Sequence, residues 1–223
     1  MTMSFSPQVL LSKVARERCI ANIKELPKFA LNDEGSKKTY ASVLVPLCVV
    51  KEEVCLLYTL RSSNLKNHSG QVSFPGGKID EGETEIDAVL RETHEEIGFN
   101  ARDVEIWEKM PIIQGRNKEM IIHPIVGVLN NMNVDNLVRS VDEVEDIFTV
   151  PMKELCNIEN HGHLKLQREK IILPVYTFGK YTIWGITGMI THLFLQCFLP
   201  ESLYTNDFMR KKYTIGELMP SKI

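Results

Sequence analysis

One short stretch, residues 76–99, constrains this chain more than any other part of it. It reads GGKIDEGETEIDAVLRETHEEIGF, two glycines and a polar loop followed by a segment with helical periodicity. Thr84 with Asp87 three residues later approximates a capping box, and Gly98 suits a left-handed C-cap, so we predict a helix between Thr84 and Gly98. The predicted buried face of this helix consists of Ile86, Val89, Leu90, Thr93 and Ile97.

The opposite side of the predicted helix carries three neighbouring carboxylates. Glu92, Glu95 and Glu96 stand at i, i+3 and i+4, with Glu85 in line two turns earlier. Like charges placed so closely repel, and the macrodipole disfavours negative charge in the C-terminal half of a helix. A solvated acidic face is one interpretation, and a bound divalent cation that relieves the repulsion is the other. Oxygen ligands without a nearby His or Cys cluster suit Mg²⁺ or Mn²⁺ rather than Zn²⁺.

The spacing of charged and glycine residues around this helix carries a family resemblance. Arg91 lies four residues from both Asp87 and Glu95, which predicts a bracing role for its guanidinium. The stretch resembles the signature of the Nudix hydrolases, G-x5-E-x7-R-E-U-x-E-E-x-G-U, where U is a bulky apolar residue and Thr93 departs at the first U. The fixed positions are matched by Gly77, Glu83, Arg91, Glu92, Glu95, Glu96 and Gly98.

This resemblance implies a fold and a metal site. The fold would be the α/β Nudix fold, an α/β/α sandwich with a mixed sheet. A loop-helix-loop would hold Mg²⁺ or Mn²⁺ against a diphosphate, with Glu92, Glu95 and Glu96 as the metal ligands. Glu83 is expected to organise the loop by pairing with Arg91.

The loop before the glycines contains side chains suited to phosphate. Arg61, Lys66 and His68 are cationic or hydrogen-bonding groups a short distance before a strongly acidic helix, although each alone is typical of an ordinary surface. The string LLYTLRSSNLKNHSGQVSFPGG, residues 56–77, resembles the extra motif of the coenzyme A pyrophosphatase branch of Nudix hydrolases. It departs from that motif by one extra residue before Arg61 and by Lys66 where Arg is usual.

This second resemblance implies a substrate class. The residues expected to bind substrate are Arg61, Lys66, His68, Gly76 and Gly77. Hydrolysis of the diphosphate linkage of coenzyme A or acyl-coenzyme A would give adenosine 3′,5′-bisphosphate and 4′-phosphopantetheine, free or acylated. Two alternatives remain: a Nudix hydrolase of another nucleoside diphosphate derivative such as ADP-ribose or NADH, and a non-catalytic module that binds acyl-coenzyme A.

A second acidic stretch lies well beyond the helix. Residues 143–151, EVEDIFTVP, resemble a stretch of the same branch in which a distal acidic residue lies near the metal. Glu143 is therefore a candidate ligand or general base, with Glu145 and Asp146 as competitors and a solvated loop as the alternative. The catalytic candidates are Glu92, Glu95 and Glu143, with the base left open between Glu92 and Glu143.

Apolar patterning predicts the remaining elements. Runs rich in β-branched residues predict hairpins at residues 41–50 with 54–60, 104–113 with 120–129, and 164–167 with 171–178. Residues 183–199 are apolar almost all round, but this run is at the short limit for a membrane span and contains polar residues. We therefore predict a buried helix there and no membrane span.

Composition limits the partners and the compartment. The chain carries a net charge of −3 with an isoelectric point near 6.1, which offers no basic footprint for nucleic acid. Its five cysteines, an odd number without a C-x-x-C pair, favour a reduced intracellular compartment.

The two ends of the chain are predicted to be appendages of one domain. Ser6 and Pro7 are typical of a helix start, and a helix to about residue 26 would offer an apolar docking stripe of Val9, Leu10, Val14, Ile20 and Ile23. Its basic residues also fit a mitochondrial presequence, against which Glu17 and Glu25 count. We predict an N-terminal helix and linker over residues 1–38, a Nudix domain over 39–200 and a tail over 201–223.

The last three residues add a prediction about location. Ser221, Lys222 and Ile223 resemble the type 1 peroxisomal address, whose reference form is Ser-Lys-Leu. Together with the coenzyme A motif, they predict recognition by the peroxisomal import receptor and residence in the peroxisome, with cytoplasm or mitochondrion as alternatives.

Overall fold

The computed structural model describes residues 5–29, 31, 38–65, 68–115, 118–166, 171–205 and 207–219. The helices are α1 (Pro7–Leu10), α2 (Lys13–Glu25), α3 (Glu85–Ile97), α4 (Met152–Leu155), α5 (Gly185–Phe198) and α6 (Ile215–Leu218). The strands are β1 (Thr39–Val50), β2 (Glu53–Arg61), β3 (Val72–Ser73), β4 (Gly76–Lys78), β5 (Val104–Lys109), β6 (Ile113–Gln114), β7 (Met120–Leu129), β8 (Val144–Pro151), β9 (His161–Leu166), β10 (Ile171–Phe178), β11 (Tyr181–Ile183) and β12 (Lys212–Tyr213).

Strand β1 lies at the centre of the larger sheet. It pairs antiparallel with β2 and β4 and parallel with β7, in the strand order β3-β2-β1-β7-β5. Strand β8 pairs with β2, and β6 pairs with β7. The sheet is therefore mixed, as the family resemblance implied, and the hairpin predicted from the two apolar runs around residue 52 is β1-β2.

Side chains alternate between the two faces of β1 and bury both. Leu44 and Cys48 pack in one apolar cluster with Val89 and Ile97 of α3. The intervening side chains of β1 pack in a second cluster that includes Phe194 of α5. Because successive residues of a strand point to opposite faces, this arrangement places helices on both sides of the sheet. The predicted α/β/α sandwich is confirmed.

Helix α5 occupies the apolar run weighed above as a membrane span. Its buried side chains pack against the sheet, and its C-terminal carbonyls accept hydrogen bonds from α2, from Arg18 to Phe198 (2.9 Å) and from Asn22 to Cys197 (3.0 Å). Within the part of the chain that the structure describes, no helix combines the length and apolarity needed to cross a bilayer.

The N-terminal helix differs from its prediction in register. It is interrupted after α1, and the Ser12 side chain caps a new helix by accepting from the Ala15 N–H (3.2 Å). Two of the predicted docking residues, Val9 and Val14, are exposed, at 46% and 73% of their surface. Leu10 and Ile23 are buried as predicted and Ile20 is partly buried, while Ala15 and Cys19 complete the face that docks.

A smaller sheet, in the order β11-β10-β9-β12, lies beyond the family motifs. Its parallel edge strand β12 comes from the segment predicted to be a polar tail. Tyr204, Phe208 and Leu218 of that segment are buried, so its described part packs on the rest of the chain. The domain limits at residues 38 and 200 stay predictions, and the peroxisome-like tripeptide lies outside the described residues.

Candidate active site

Helix α3 begins and ends where its sequence predicts. Thr84 Oγ1 accepts from the Asp87 N–H (3.2 Å), the Asp87 carboxylate accepts from the Thr84 N–H (3.4 Å), and Gly98 closes the helix with φ 69°. Thr93, which departs from the Nudix pattern, is buried and donates its hydroxyl to the Val89 carbonyl (2.6 Å). The hydroxyl is therefore satisfied within the helix and leaves the carboxylate face unchanged.

Three carboxylates converge at this helix, two from the helix itself and one from the turn before β8. One oxygen from each of Glu92, Glu96 and Glu143 lies within 4.8 Å of the others. Glu96 is buried, Glu92 is partly buried and Glu143 is exposed. The backbone of Glu143 is fixed by a hydrogen bond from the Ser62 N–H to its carbonyl (2.8 Å). An oxygen-only group of this kind suits Mg²⁺ or Mn²⁺.

Glu95, predicted as a metal ligand, lies outside this group of three. Its carboxylate accepts from Arg91 Nη1 (3.0 Å), and its side chain is about half exposed. The geometry therefore places Glu143, rather than Glu95, beside Glu92 and Glu96.

Arg91 braces the carboxylates, as the i±4 spacing predicts in part. Its guanidinium donates to both oxygens of Glu83 (2.9 and 3.0 Å), to Glu92 (3.0 Å), to Glu95 (3.0 Å) and to the Lys78 carbonyl (3.1 Å). These hydrogen bonds hold the pKa of Glu83 below its usual value. Asp87, the other predicted partner, is instead engaged in the N-cap.

The two glycines of the motif make room for the carboxylates. Gly76 has φ +148°, and a Cβ there would lie 2.2 Å from the Ser42 carbonyl oxygen, so only glycine fits. Its N–H donates to Glu96 (3.1 Å). A Cβ at Gly77 would lie 2.3 Å from the carboxylate carbon of Glu92, so the Glu92 carboxylate lies directly against the Gly77 backbone.

Burial makes the negative charge of this cluster costly. It raises the pKa of Glu96 to about 8, against the opposing effects of the Gly76 N–H and Arg61, and the neighbouring Glu92 and Glu143 raise it further. Burial also raises the pKa of Glu92, although Arg91 opposes the shift. A cation among the three carboxylates would offset both burial and mutual repulsion.

Of the predicted substrate-binding side chains, Arg61 reaches the cluster. Its Nη1 lies 3.9 Å from Glu96 Oε1, and its buried Nε has no hydrogen-bond partner among the described residues. His68 is exposed, adopts φ 56° and contacts Gln71 Oε1 through Nδ1 (3.1 Å). Lys66 lies outside the described residues.

The acidic residues that compete with these candidates have other partners or positions. Asp146 accepts from Tyr181 (2.6 Å) and Lys180 (3.0 Å), and Glu145 is exposed at the edge of a cavity. Glu85 accepts from Lys109 (2.9 Å). Sequence reasoning found each residue of the cluster but missed the cavity, because part of its wall comes from residues 180–184 and 217–219, which carry no motif.

Comparisons with known proteins agree with the signature. Residues 38–171 match the NUDIX domain. The chain is 35% identical over 218 residues to "Nudix hydrolase 3" of Caenorhabditis elegans, covering 89% of this chain and 90% of that protein. It is 35% identical over 170 residues to "Mitochondrial coenzyme A diphosphatase NUDT8" of Mus musculus, covering 74% and 80%.

A solved structure supports the fold separately. The "MutT/nudix family protein from Enterococcus faecalis" superposes with a TM-score of 0.52 at 19% identity, over 83% of this chain and 69% of that one.

Proposed function

Because the chain belongs to the Nudix hydrolase family, we propose that it cleaves the diphosphate linkage of coenzyme A and acyl-coenzyme A. The observation that carries the proposal is the position of Arg61. This residue belongs to the coenzyme A-type motif, and its guanidinium lies beside the carboxylate cluster, 3.9 Å from Glu96. The similarity to the mouse coenzyme A diphosphatase supports the same substrate.

Nudix hydrolases generally use divalent metals, and the donor set here fits Mg²⁺ or Mn²⁺. Glu92 and Glu96 are the proposed ligands, with Glu143 within reach as a third. When bound, the metal would neutralise the non-bridging phosphate oxygens and lower the pKa of a coordinated water. Glu95 stays a predicted ligand, since its carboxylate would have to leave Arg91 to join them.

The chain's own side chains would position and deprotonate the reactants. Arg61 has a guanidinium fork suited to two oxygens of a diphosphate, and its unpaired Nε lies at the same site. Because Gly76 and Gly77 have no side chains, their backbone lies close to the carboxylates of Glu96 and Glu92. Of the two candidate bases, Glu92 is held by a hydrogen bond from Arg91, whereas Glu143 is exposed to solvent. We therefore propose Glu143 as the general base that accepts the proton of the attacking water.

The reaction is then a hydrolysis. Water attacks one phosphorus, the bond from that phosphorus to the bridging oxygen breaks, and the bridging oxygen leaves with the other phosphate. The products are adenosine 3′,5′-bisphosphate and 4′-phosphopantetheine, with the acyl group retained where one is present.

Product analysis by chromatography tests the proposal directly. Purified full-length protein with Mg²⁺ or Mn²⁺ is offered coenzyme A, an acyl-coenzyme A, ADP-ribose and NADH in parallel. We expect adenosine 3′,5′-bisphosphate from the first two, abolished by chelator and by Glu96→Gln. Glu85→Gln is the matched control, because Glu85 lies on the same helix but pairs with Lys109 outside the cluster.

The other outcomes separate the alternatives. Cleavage of ADP-ribose or NADH, with coenzyme A untouched, would retain a Nudix hydrolase and reject the coenzyme A assignment. Binding of acyl-coenzyme A without cleavage of any of the four compounds would favour a non-catalytic module.

The compartment needs its own experiment. The tripeptide Ser-Lys-Ile at residues 221–223 favours the peroxisome, whereas the mouse relative is named as a mitochondrial enzyme. A fluorescent fusion with a free C-terminus should form peroxisomal puncta that disappear when residues 221–223 are deleted. Mitochondrial fluorescence in both versions would reject the peroxisomal prediction.

A further inference from the structure

A cavity of about 380 Å³ is lined by residues that lie close in sequence to the carboxylate site. Ser63, two residues after Arg61, and Glu145, two residues after Glu143, both line it. Its far wall is the C-terminal segment, through Leu218 and Met219. Its volume lies in the range of small-molecule sites, about 300–1,000 Å³.

The charge of this cavity disfavours phosphate. Among the described residues that line it, Lys180 is the one cation, and Lys180 is already paired with Asp146 (3.0 Å). Two carboxylates, Glu145 and Glu217, line the same space. A dianionic phosphate placed here would meet net negative charge and no available cation from these residues.

The remaining lining is apolar and aromatic with a few hydrogen-bonding groups. Leu60, Val72, Tyr181 and Trp184 supply the apolar surface, and Thr182 adds a hydroxyl. Such a lining suits a flexible, uncharged chain that carries amides and ends in a thiol or thioester.

We infer that this cavity binds the uncharged pantetheine arm of the substrate and leaves the phosphorylated adenosine half outside it. The inference rests on the proposed function, since coenzyme A joins these two halves through the diphosphate. Arg61 and the carboxylate cluster then mark the diphosphate, and the cavity beginning at Ser63 receives the arm that continues from it.

The C-terminal segment is held in place as a wall by defined contacts. Gln71, which contacts His68, donates its side-chain N–H to Met219 Sδ (3.5 Å). Leu218 is buried against Leu164 and Val175 of the smaller sheet. His68 is thus connected to the wall of the cavity through Gln71, and its role in binding substrate stays a prediction.

The indole N–H signals of the tryptophans, measured by NMR, test the inference in the unaltered protein. The chain has two tryptophans, Trp184 in the cavity and Trp107, which packs against Phe198 elsewhere. Pantetheine added to full-length protein in chelator should shift the Trp184 indole N–H signal and leave that of Trp107 in place. Adenosine 3′,5′-bisphosphate should leave both unchanged, and Trp184→Phe assigns the signals.

Variants that fill the cavity supply the second readout. Thr182→Trp and Met219→Trp, on separate segments, should weaken pantetheine binding and raise KM for coenzyme A by about tenfold or more, with little change in kcat. Ile172→Trp is the matched control, since Ile172 belongs to the smaller sheet, is about half exposed and does not line the cavity.

The outcomes distinguish this inference from the proposed function. Absence of a Trp184 shift with pantetheine, a Trp184 shift with adenosine 3′,5′-bisphosphate, or unchanged KM in both filled variants overturns the inference while coenzyme A cleavage still supports the function. Pantetheine binding at Trp184 without cleavage of coenzyme A rejects the function and retains the subsite.

Discussion

The carboxylate of Glu92 occupies the space that a side chain at Gly77 would take: a Cβ built at position 77 lies 2.3 Å from the carboxylate carbon. The obstructing group is the end of a flexible side chain rather than backbone, so the conflict can be relieved by moving Glu92. The glycine of the motif thus determines where one metal-binding candidate lies.

Gly77→Ala should therefore separate activity from stability. The protein should retain its unfolding temperature within a few degrees, because Glu92 can rotate away, while metal-dependent turnover falls by about 10- to 100-fold, since a displaced ligand weakens the metal site. Steady-state kinetics at increasing Mn²⁺ and thermal unfolding check both parts. Gly216→Ala, where a Cβ meets nothing within 4 Å, is the control; unchanged turnover in Gly77→Ala would reject the placement of Glu92.

Arg91→Lys tests the brace. An ammonium cannot reproduce the fork that joins Glu83, Glu92 and Glu95, so the carboxylates lose their fixed orientation. We expect the metal concentration for half-maximal activity to rise by about tenfold or more. The exposed Arg102, replaced by Lys, should leave it unchanged. An unaltered metal dependence in Arg91→Lys would mean that these contacts do not orient the ligands.

The sequence predicted much of this site because the chemistry is local. The caps of α3, the spacing of Glu92 and Glu96 and the bracing by Arg91 all depend on residues within one helix and its preceding loop. Glu143 required a resemblance, because it lies in the turn just before β8, a distant part of the chain that pairs with β2.

Two features could not be predicted from the sequence: the hydrogen-bond partner of Glu95 and the packing of the segment after residue 200. Glu95 stands at a sequence spacing that fits a metal ligand. Its carboxylate is instead hydrogen-bonded to Arg91, four residues earlier, and lies outside the cluster. The segment after residue 200 looked polar because its few apolar residues have no period, yet Tyr204, Phe208 and Leu218 are buried in long-range contacts. Periodicity reports on regular elements and is silent about such packing.

Stability without metal should fall as pH rises. Glu96 has a folded pKa of about 8, above its usual value of 4.5, so between these values the folded protein holds a proton that the unfolded chain has lost. The unfolding free energy in chelator should decline from about pH 4.5 to pH 8. Glu96→Gln should flatten this decline, and the stabilisation by added Mn²⁺ should grow over the same range in the unaltered protein. Thermal unfolding across pH measures both, and an equally steep decline in Glu96→Gln would contradict the assignment.

His192 should make the folded protein less stable at acidic pH. His192 Nδ1 contacts the Tyr204 hydroxyl (2.7 Å), and burial, with a smaller effect of His161, lowers the pKa of His192 to about 4 from its usual 6.5. Between these values the unfolded chain binds the proton that the folded protein excludes, so stability is lost as pH falls below about 6.5.

Replacing His192 by Asn removes this proton uptake while retaining a polar group near Tyr204. The variant should be less stable at pH 7, by about 1 kcal/mol for a weakened hydrogen bond, but should lose less stability between pH 6.5 and pH 4. Urea unfolding at both pH values measures the difference. His94→Asn, at an exposed position on α3, should retain the acid dependence of the unaltered protein. If His192→Asn retained it as well, the acid sensitivity would belong to another buried group, of which His161 is the neighbouring candidate, since burial also lowers the pKa of that histidine.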